Sequence, residues 1–262
     1  MIYFESLKQQ DLTYLRDLLF ELTTREIKIR YKRSILGIVW SLLHSLAQIR
    51  IFRFLFGTVL ALNIPNYTAF LFIGVLVWAW FRTALTQGTV SITNSRELVN
   101  RPGFPVAILP IVTVTTSLID FLLAFPILVI FLIAGGSPFS PALLLFPLIM
   151  IIQFVFTLGL AYLLATIQVR FRDMSHLLNV ALSLGFYLTP IFYDVSAVPA
   201  QYRFLYTFNP LVYLLDAYRA ILIYGQFPDP LPLFSISLLA GAMLFGSYTI
   251  FIRASYGFSE EL

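Results

Sequence analysis

The sequence contains no cysteine in 262 residues, and charged residues are few. Without cysteine the chain can form no disulfide, no thiolate metal site and no cysteine nucleophile. Charged residues make up 11% of the chain, whereas soluble domains carry about 25%. Hydrophobic residues make up 59%. These proportions indicate an integral membrane protein, and the net charge of +4 then reflects basic loops on one side of the membrane rather than nucleic-acid binding.

The residues needed for a nucleotide or metal site are also scarce. All lysines precede Gly37, the first glycine, so no G-x-x-x-x-G-K-[ST] phosphate-binding loop is possible. The two histidines, His44 and His176, are far apart and outside any H-E-x-x-H motif. We therefore expect no catalytic residue, metal or cofactor in this chain, and any energy must come from an ion gradient or a partner protein.

The apolar runs predict an all-α membrane protein with six transmembrane helices, because about 20 apolar residues cross a bilayer. The third run contains Pro110 and Pro126, which we expect to interrupt it, and Trp78 and Trp80 suggest an interfacial aromatic belt. The predicted spans are about 36–62, 67–85, 106–134, 143–169, a fifth ending at Pro190, and 231–252.

Residues 1–33 form a separate, cytoplasmic segment in this interpretation, and residues 34–262 form the transmembrane domain. Within 11–22 the leucines share one helical face, which predicts an amphipathic helix in the membrane interface or, alternatively, packed on another protein. The charged start of the chain also argues against a cleavable signal peptide. Most of the 17 lysines and arginines fall on the side of the termini, so we expect both termini inside.

Three charged residues fall within predicted spans, where charge is costly and usually has a partner. Arg50 and Arg53 share one face of the first span, and Asp120 lies in the third. One hypothesis places all three on an aqueous substrate path. The alternative is that the arginines reach outward or pair with an acid such as Asp120.

The polar loop after the second span predicts a short helix, with Asn94 or Ser95 as its cap and Arg96, Glu97 and Leu98 in its first turns. Such a helix can dock a cytoplasmic partner, although a solvated connector is the alternative.

Two short apolar runs, 177–192 and 210–223, flank the predicted outer segment. The first has a break at Thr189-Pro190, and irregular backbone at membrane depth requires cover by protein or by a water-filled cavity. Asn209 is expected to cap a helix that starts at Pro210 and pairs Asp216 with Arg219. The pattern predicts re-entrant helices between spans five and six, and a pathway rather than an anchor.

Several motifs in this order resemble those of the permease subunits of ABC-2 polysaccharide exporters, the family that exports O-antigen, capsule or teichoic-acid chains. They are Arg30-Tyr31-Lys32-Arg33, Leu36-Gly37-Ile38-Val39-Trp40, Phe104-Pro105, Phe171-Arg172-Asp173, Leu188-Thr189-Pro190-Ile191 and Asn209-Pro210-Leu211. Each motif is weak alone, but the ordered set covers about 12–252.

The resemblance implies a homodimeric channel in the plasma (inner) membrane, two copies of a separate ATPase subunit that binds ATP and Mg, and a lipid-linked polysaccharide as cargo. It implies ATPase coupling through Asn94, Ser95, Arg96, Glu97 and Leu98. Arg30, Lys32 and Arg33 would recruit the pyrophosphate of the lipid carrier. The implied outer gate contains Pro190, Tyr202, Tyr206, Asn209, Pro210 and Tyr213.

Two other functions compete with glycan export. An ABC-2 drug or lipid exporter often has a large outer domain or a fused ATPase, and this chain shows neither. A membrane enzyme acting on polyprenyl-linked sugars would need clustered acids, whereas Asp120 is the one acid placed within a span. The arginines of the first span depart from the apolar pattern expected of the family, which leaves the substrate more open than the fold.

Overall fold

A computed structural model describes residues 2–31 and 64–262, with positions 47, 50, 51 and 54 between them. Within these residues all regular structure is helical. The helices are α1 (Ile2–Tyr31), α2 (Tyr67–Val90), α3 (Arg96–Val99), α4 (Ile108–Ala134), α5 (Phe146–Arg170), α6 (Met174–Leu188), α7 (Arg203–Thr207), α8 (Pro210–Leu222), α9 (Pro230–Ser255) and α10 (Phe258–Glu261).

Within the part of the chain that the structure describes, four stretches are long and apolar enough to cross a membrane: α2, α4, Pro141–Arg170 and α9. They confirm four of the predicted spans and make this a multi-pass membrane protein. Helix α6 has 15 residues, or about 22 Å, which is shorter than the roughly 30 Å hydrocarbon core. The predicted first span, 36–62, lies outside the described residues except at its isolated positions.

Helix α2 is the centre of the bundle and packs against α4, α5, α6 and α8. In its most apolar stretch 78% of residues are buried, against 22% in α9. This burial corrects the prediction of an aromatic belt. Trp78 and Trp80 lie inside the core, 5% and 2% exposed, and pack on Phe186 and Phe121.

Helix α4 is continuous through both of its prolines, which corrects the predicted interruption. Pro110 lies in the first turn, where a helix needs no backbone N–H donor. Pro126 lies inside the helix, a position that transmembrane helices tolerate because neighbouring groups satisfy the freed carbonyl.

Helix α1 is longer than the predicted amphipathic stretch 11–22, because it extends without a break to Tyr31. It packs against α4. The first basic residues of the segment 25–33 are therefore part of this helix, which brings them beside the membrane-spanning bundle.

Helices α5 and α9 form the most extensive helix contact of the bundle. Gly159 allows it, because a Cβ atom there would lie 2.8 Å from the backbone nitrogen of Leu244. A side chain at this position would push the two backbones apart. By contrast, Gly241 and Gly246 of α9 have open space where a Cβ atom would be.

We expect Gly159→Ala to destabilise the protein by about 1–3 kcal/mol, the usual cost of overpacking a core. Thermal unfolding in detergent measures the effect. The matched control is Gly246→Ala, which should be neutral or slightly stabilising because alanine favours helix by up to about 1 kcal/mol over glycine. Equal unfolding temperatures for both variants would show that the α5–α9 approach is not tight.

Candidate functional site

The connection between α2 and α4 carries the short helix α3, as the sequence predicted. It follows a 3-10 turn, Thr93–Ser95, and Ser95 occupies the capping position without a side-chain cap hydrogen bond. Arg96 and Glu97 are exposed, Leu98 is half-buried and Val99 is buried. Helix α3 is thus a small knob with an apolar inner side and a charged outer side. We call this end of the bundle the α3 end.

A cleft of about 860 Å³ separates α1 from α3 and from the adjoining ends of α2 and α4. Its polar lining includes Arg25, Glu26, Arg30, Arg96 and Arg101. Burial raises the pKa of the Glu26 carboxyl, while Arg30 and Arg25 oppose that shift. The exposed Asn94 also lines the cleft, so the predicted coupling residues and α1 face the same space.

An ion pair joins the end of α1 to the middle of α4. The Arg30 guanidinium donates to the Asp120 carboxylate and to the side-chain oxygen of Gln87 in α2. Both charged side chains are 24% exposed. One residue predicted for the carrier pyrophosphate and one predicted for the substrate path therefore contact each other, and a single guanidinium links three helices.

Of the other predicted cations, the structure describes Arg50 alone. Arg50 is exposed. Arg53, Lys32 and Arg33 lie outside the described residues. Among the described residues, Arg30 of α1 is a partner of Asp120, and the predicted pairing of Asp120 with the arginines of the first span stays a prediction.

At the opposite end of the bundle the chain breaks after α6. The Arg219 guanidinium of α8 donates to the carbonyl oxygens of Pro190 and Ile191, at 2.7 and 3.0 Å. It also lies over the ring of Phe70 in α2, 3.4 Å from the centroid. Arg219 is 3% exposed. It therefore satisfies the irregular backbone at Pro190 and joins it to α2 and α8.

The predicted pairing of Asp216 with Arg219 is present as an attraction between their charges, but the direct hydrogen bonds of the guanidinium go to the backbone of the break. Asp216 is exposed, whereas the Arg219 guanidinium turns inward to the two carbonyl groups. The prediction treated the two residues as an isolated helix pair. In the folded chain the free carbonyl groups of the break compete with Asp216 for the N–H donors of the Arg219 guanidinium.

The predicted start of α8 is confirmed. The Asn209 side chain accepts a hydrogen bond from the Leu211 backbone at 3.1 Å, and Pro210 is the first helical residue. The Asn209 amide also donates to the Thr189 hydroxyl at 3.0 Å. The cap of α8 is thereby attached to the break after α6.

The aromatic residues predicted for the gate are divided between anchoring and exposure. Tyr206 shares a 2.7 Å hydrogen bond with Tyr193, and Tyr213 donates to the Thr207 carbonyl oxygen at 2.8 Å. Tyr202 is 51% exposed. The hydrogen bonds of Tyr206 and Tyr213 therefore hold residues 193–213 together, whereas Tyr202 remains accessible.

Sequence reasoning missed three residues of this end. Arg219 was expected to pair with Asp216, although a lone cation within the apolar run 210–223 is itself a signal of a buried partner. Gly74 and Tyr67 gave no signal. A Cβ atom at Gly74 would lie 2.7 Å from the Ile191 carbonyl oxygen, and the Tyr67 hydroxyl donates to the Phe192 carbonyl oxygen at 2.7 Å.

Across the described ranges no group of three or more His, Asp or Glu side chains could hold a metal ion. The polar contacts at both ends position helices, and none pairs a nucleophile with a base. Chemically, the arrangement suits docking and conformational control.

Comparison with known proteins agrees with this class of molecule, a multi-pass helical membrane protein. The model of the ABC-2 type transporter family matches residues 17–223. The chain belongs to the ABC-2 type transporter family. The resemblance drawn from the ordered motifs is thereby confirmed.

Relatives match over nearly the whole chain. The O-antigen export system permease protein RfbA of Myxococcus xanthus is 34% identical over 255 residues, which cover 97% of this chain and 98% of that protein. An RfbA of Klebsiella pneumoniae is 32% identical over 254 residues, or 96% and 97%. The polysialic acid transport protein KpsM of Escherichia coli is 24% identical over 245 residues, or 90% and 91%.

A paired replacement separates a structural from a transport role of Arg30 and Asp120. Asp120→Leu alone leaves a half-buried guanidinium without its carboxylate, and we expect a loss of about 1–3 kcal/mol in the free energy of unfolding. Adding Arg30→Met should recover part of this loss, because it removes the guanidinium that was left without its carboxylate. Thermal unfolding in detergent and export are measured on the same variants. A stable double variant that exports normally would show that neither charge contacts the cargo.

For Arg219, we expect Arg219→Leu to destabilise the protein by about 1–3 kcal/mol or more, because two carbonyl groups lose their donor. The matched control is Arg203→Leu. Arg203 also donates to two carbonyl oxygens, of Ser196 and Val198, but it is exposed, so water replaces it at a cost within about 0.5 kcal/mol. Thermal unfolding compares the two, and equal losses would contradict a special role for Arg219.

Proposed function

We propose that this chain is the membrane subunit of an ATP-driven exporter that moves a lipid-linked polysaccharide across the plasma membrane. The observation that carries the proposal is the charged knob α3, set between two membrane-spanning helices and facing α1 across a cleft. A transport subunit without a phosphate-binding loop needs such a contact with a separate ATPase. The relatives named for O-antigen export and polysialic acid transport support the class of cargo.

The proposed topology has six spans, both termini inside and α8 as part of a re-entrant pair. In this topology the α3 end faces the cytoplasm. The segment 1–33 lies along the inner membrane surface, and 34–262 form the transmembrane domain. Two copies of the chain form the channel above two ATPase subunits, which bind ATP and Mg.

We propose a coupling role for residues at the α3 end and a gate at the opposite end. Asn94, Ser95, Arg96, Glu97 and Leu98 couple ATPase closure to the channel. The supporting observation is that Arg96 and Glu97 point away from the core while Leu98 holds the knob to it.

At the opposite end we propose an outer gate. Pro190, Asn209 and Pro210 form its framework, which the Arg219 and Thr189 contacts hold. Tyr206 and Tyr213 anchor it, and Tyr202 is free to contact the glycan. The substrate path would pass Arg50 and Arg53, and Lys32 and Arg33 would meet the carrier pyrophosphate. Arg30 can join them only when it releases Asp120.

Depletion of this protein in its native cell tests the proposal directly. We expect full-length lipid-linked polymer to accumulate on the cytoplasmic face, because synthesis continues while export stops. Sugar analysis of each membrane face makes the measurement. Loss of the polymer would indicate an enzyme of polymer assembly, and an unchanged polymer would indicate export of a drug or another lipid.

A double replacement tests the coupling role of α3. Arg96→Ala with Glu97→Ala removes the exposed charges while keeping a good helix sequence, so insertion should be unchanged. We expect the ATP hydrolysed for each exported polymer to rise, measured with the complete complex in proteoliposomes. Gln201→Ala, an exposed residue of the opposite end, is the control. An unchanged ratio in the double variant would place the docking contact elsewhere.

A further inference from the structure

Helix α3 is too short to hold its own conformation. It has four residues, and isolated helices below about 12–15 residues are marginal in water. Its support comes from packing: Ile92 is fully buried before it, and Val99 is 9% exposed at its end. An element that transmits force from a partner needs a firm support behind it.

Helix α10 lies beside α3 and supplies part of that support. It packs against both α3 and α5. Its first residue, Phe258, is 1% exposed, and the ring meets Phe251 of α9 edge to face at 5.4 Å. Leu262 packs on the same core. Helix α10 is therefore anchored in the bundle although most of its polar residues face outward.

An ion pair also joins α10 to α5. The Arg170 guanidinium donates to the Glu261 carboxylate at 3.2 Å, and these side chains are 65% and 35% exposed. An exposed pair of this kind contributes about 0–1 kcal/mol, so the buried Phe258 is the stronger attachment and the ion pair is a second, weaker contact.

The base beneath α10 is the most extensive helix contact of the bundle. Helix α10 follows α9 directly and packs on the end of α5. Helices α5 and α9 approach each other closely at Gly159. A displacement of α3 toward the bundle therefore meets an element seated on the α5–α9 pair.

We propose that α10 is a brace that holds the coupling helix α3 in its docking position, with Phe258 as the positioning residue. The proposal rests on the proposed function, because it assumes an ATPase subunit that presses on α3. Helix α10 need not contact that subunit. Its role is to keep the knob from yielding when the subunit closes.

The test uses the complete complex with its ATPase subunit in proteoliposomes, and it measures the ATP hydrolysed per polymer exported. Phe258→Ala should raise this ratio, because an unsupported α3 passes less of the ATPase closure on to the channel. Phe258→Leu, which keeps an apolar side chain, should restore a ratio near that of the wild type. A purely structural role would instead lower the amount of folded complex and leave the ratio of the remaining complex unchanged.

The ion pair provides a second, milder perturbation. Arg170→Glu and Glu261→Arg should each raise the ratio, and the double replacement should return it toward the wild type. Should Phe258→Ala fail to accumulate, Leu262→Ala takes its place, because Leu262 is half-buried and directly follows α10. Unchanged ratios in folded variants of both kinds would overturn the brace. Failure of the wild-type complex to export would overturn the proposed function instead.

The absence of cysteine allows a covalent check. Cysteines at positions 170 and 261, joined by a short bismaleimide, would hold α10 on α5 in place of the ion pair. We expect this link to restore the ratio in the Phe258→Ala background, because it returns the brace to its position. The same link without restoration would contradict a positional role.

Discussion

A chain that breaks its helix inside an apolar bundle leaves carbonyl groups without donors, and here one guanidinium supplies them. Arg219 meets the carbonyl oxygens of Pro190 and Ile191 and stacks on Phe70. Its own charge is buried, so these contacts are as necessary to the arginine as to the backbone. The end of α6, the start of the outer segment and α8 are consequently held against α2.

At the α3 end another arginine also links several helices, but it is less deeply buried than Arg219. Arg30 connects α1 to α2 and α4 through Gln87 and Asp120, but the pair retains partial exposure to water. Such a contact is easier to open than that of Arg219. In the proposed exporter this difference is useful, because the proposed ATPase-docking end has to move while the broken segment at the other end keeps its backbone satisfied.

Much of the site was predictable, because several of its signals are local. Asn209-Pro210 predicted a helix start from capping chemistry alone, and the polar residues around Ser95 predicted a short helix between two apolar runs. Asp120 predicted an ionic partner, for which the sequence suggested Arg50 or Arg53, and Arg30 was missed because it is 90 residues away in sequence. The burial of Trp78 was missed because an interfacial and a central tryptophan have the same sequence context.

The sequence by itself determined that this is a helical membrane protein, where four of its spans lie, and to which family it belongs. Those properties follow from the length and spacing of apolar runs and from ordered motifs, which are written along the chain. Only the tertiary structure decided that α2 is central, that α5 and α9 meet at Gly159, and that Arg219 turns inward. In an apolar bundle nearly every face is hydrophobic, so hydropathy cannot choose between neighbours. Close packing and the few unsatisfied polar groups make that choice.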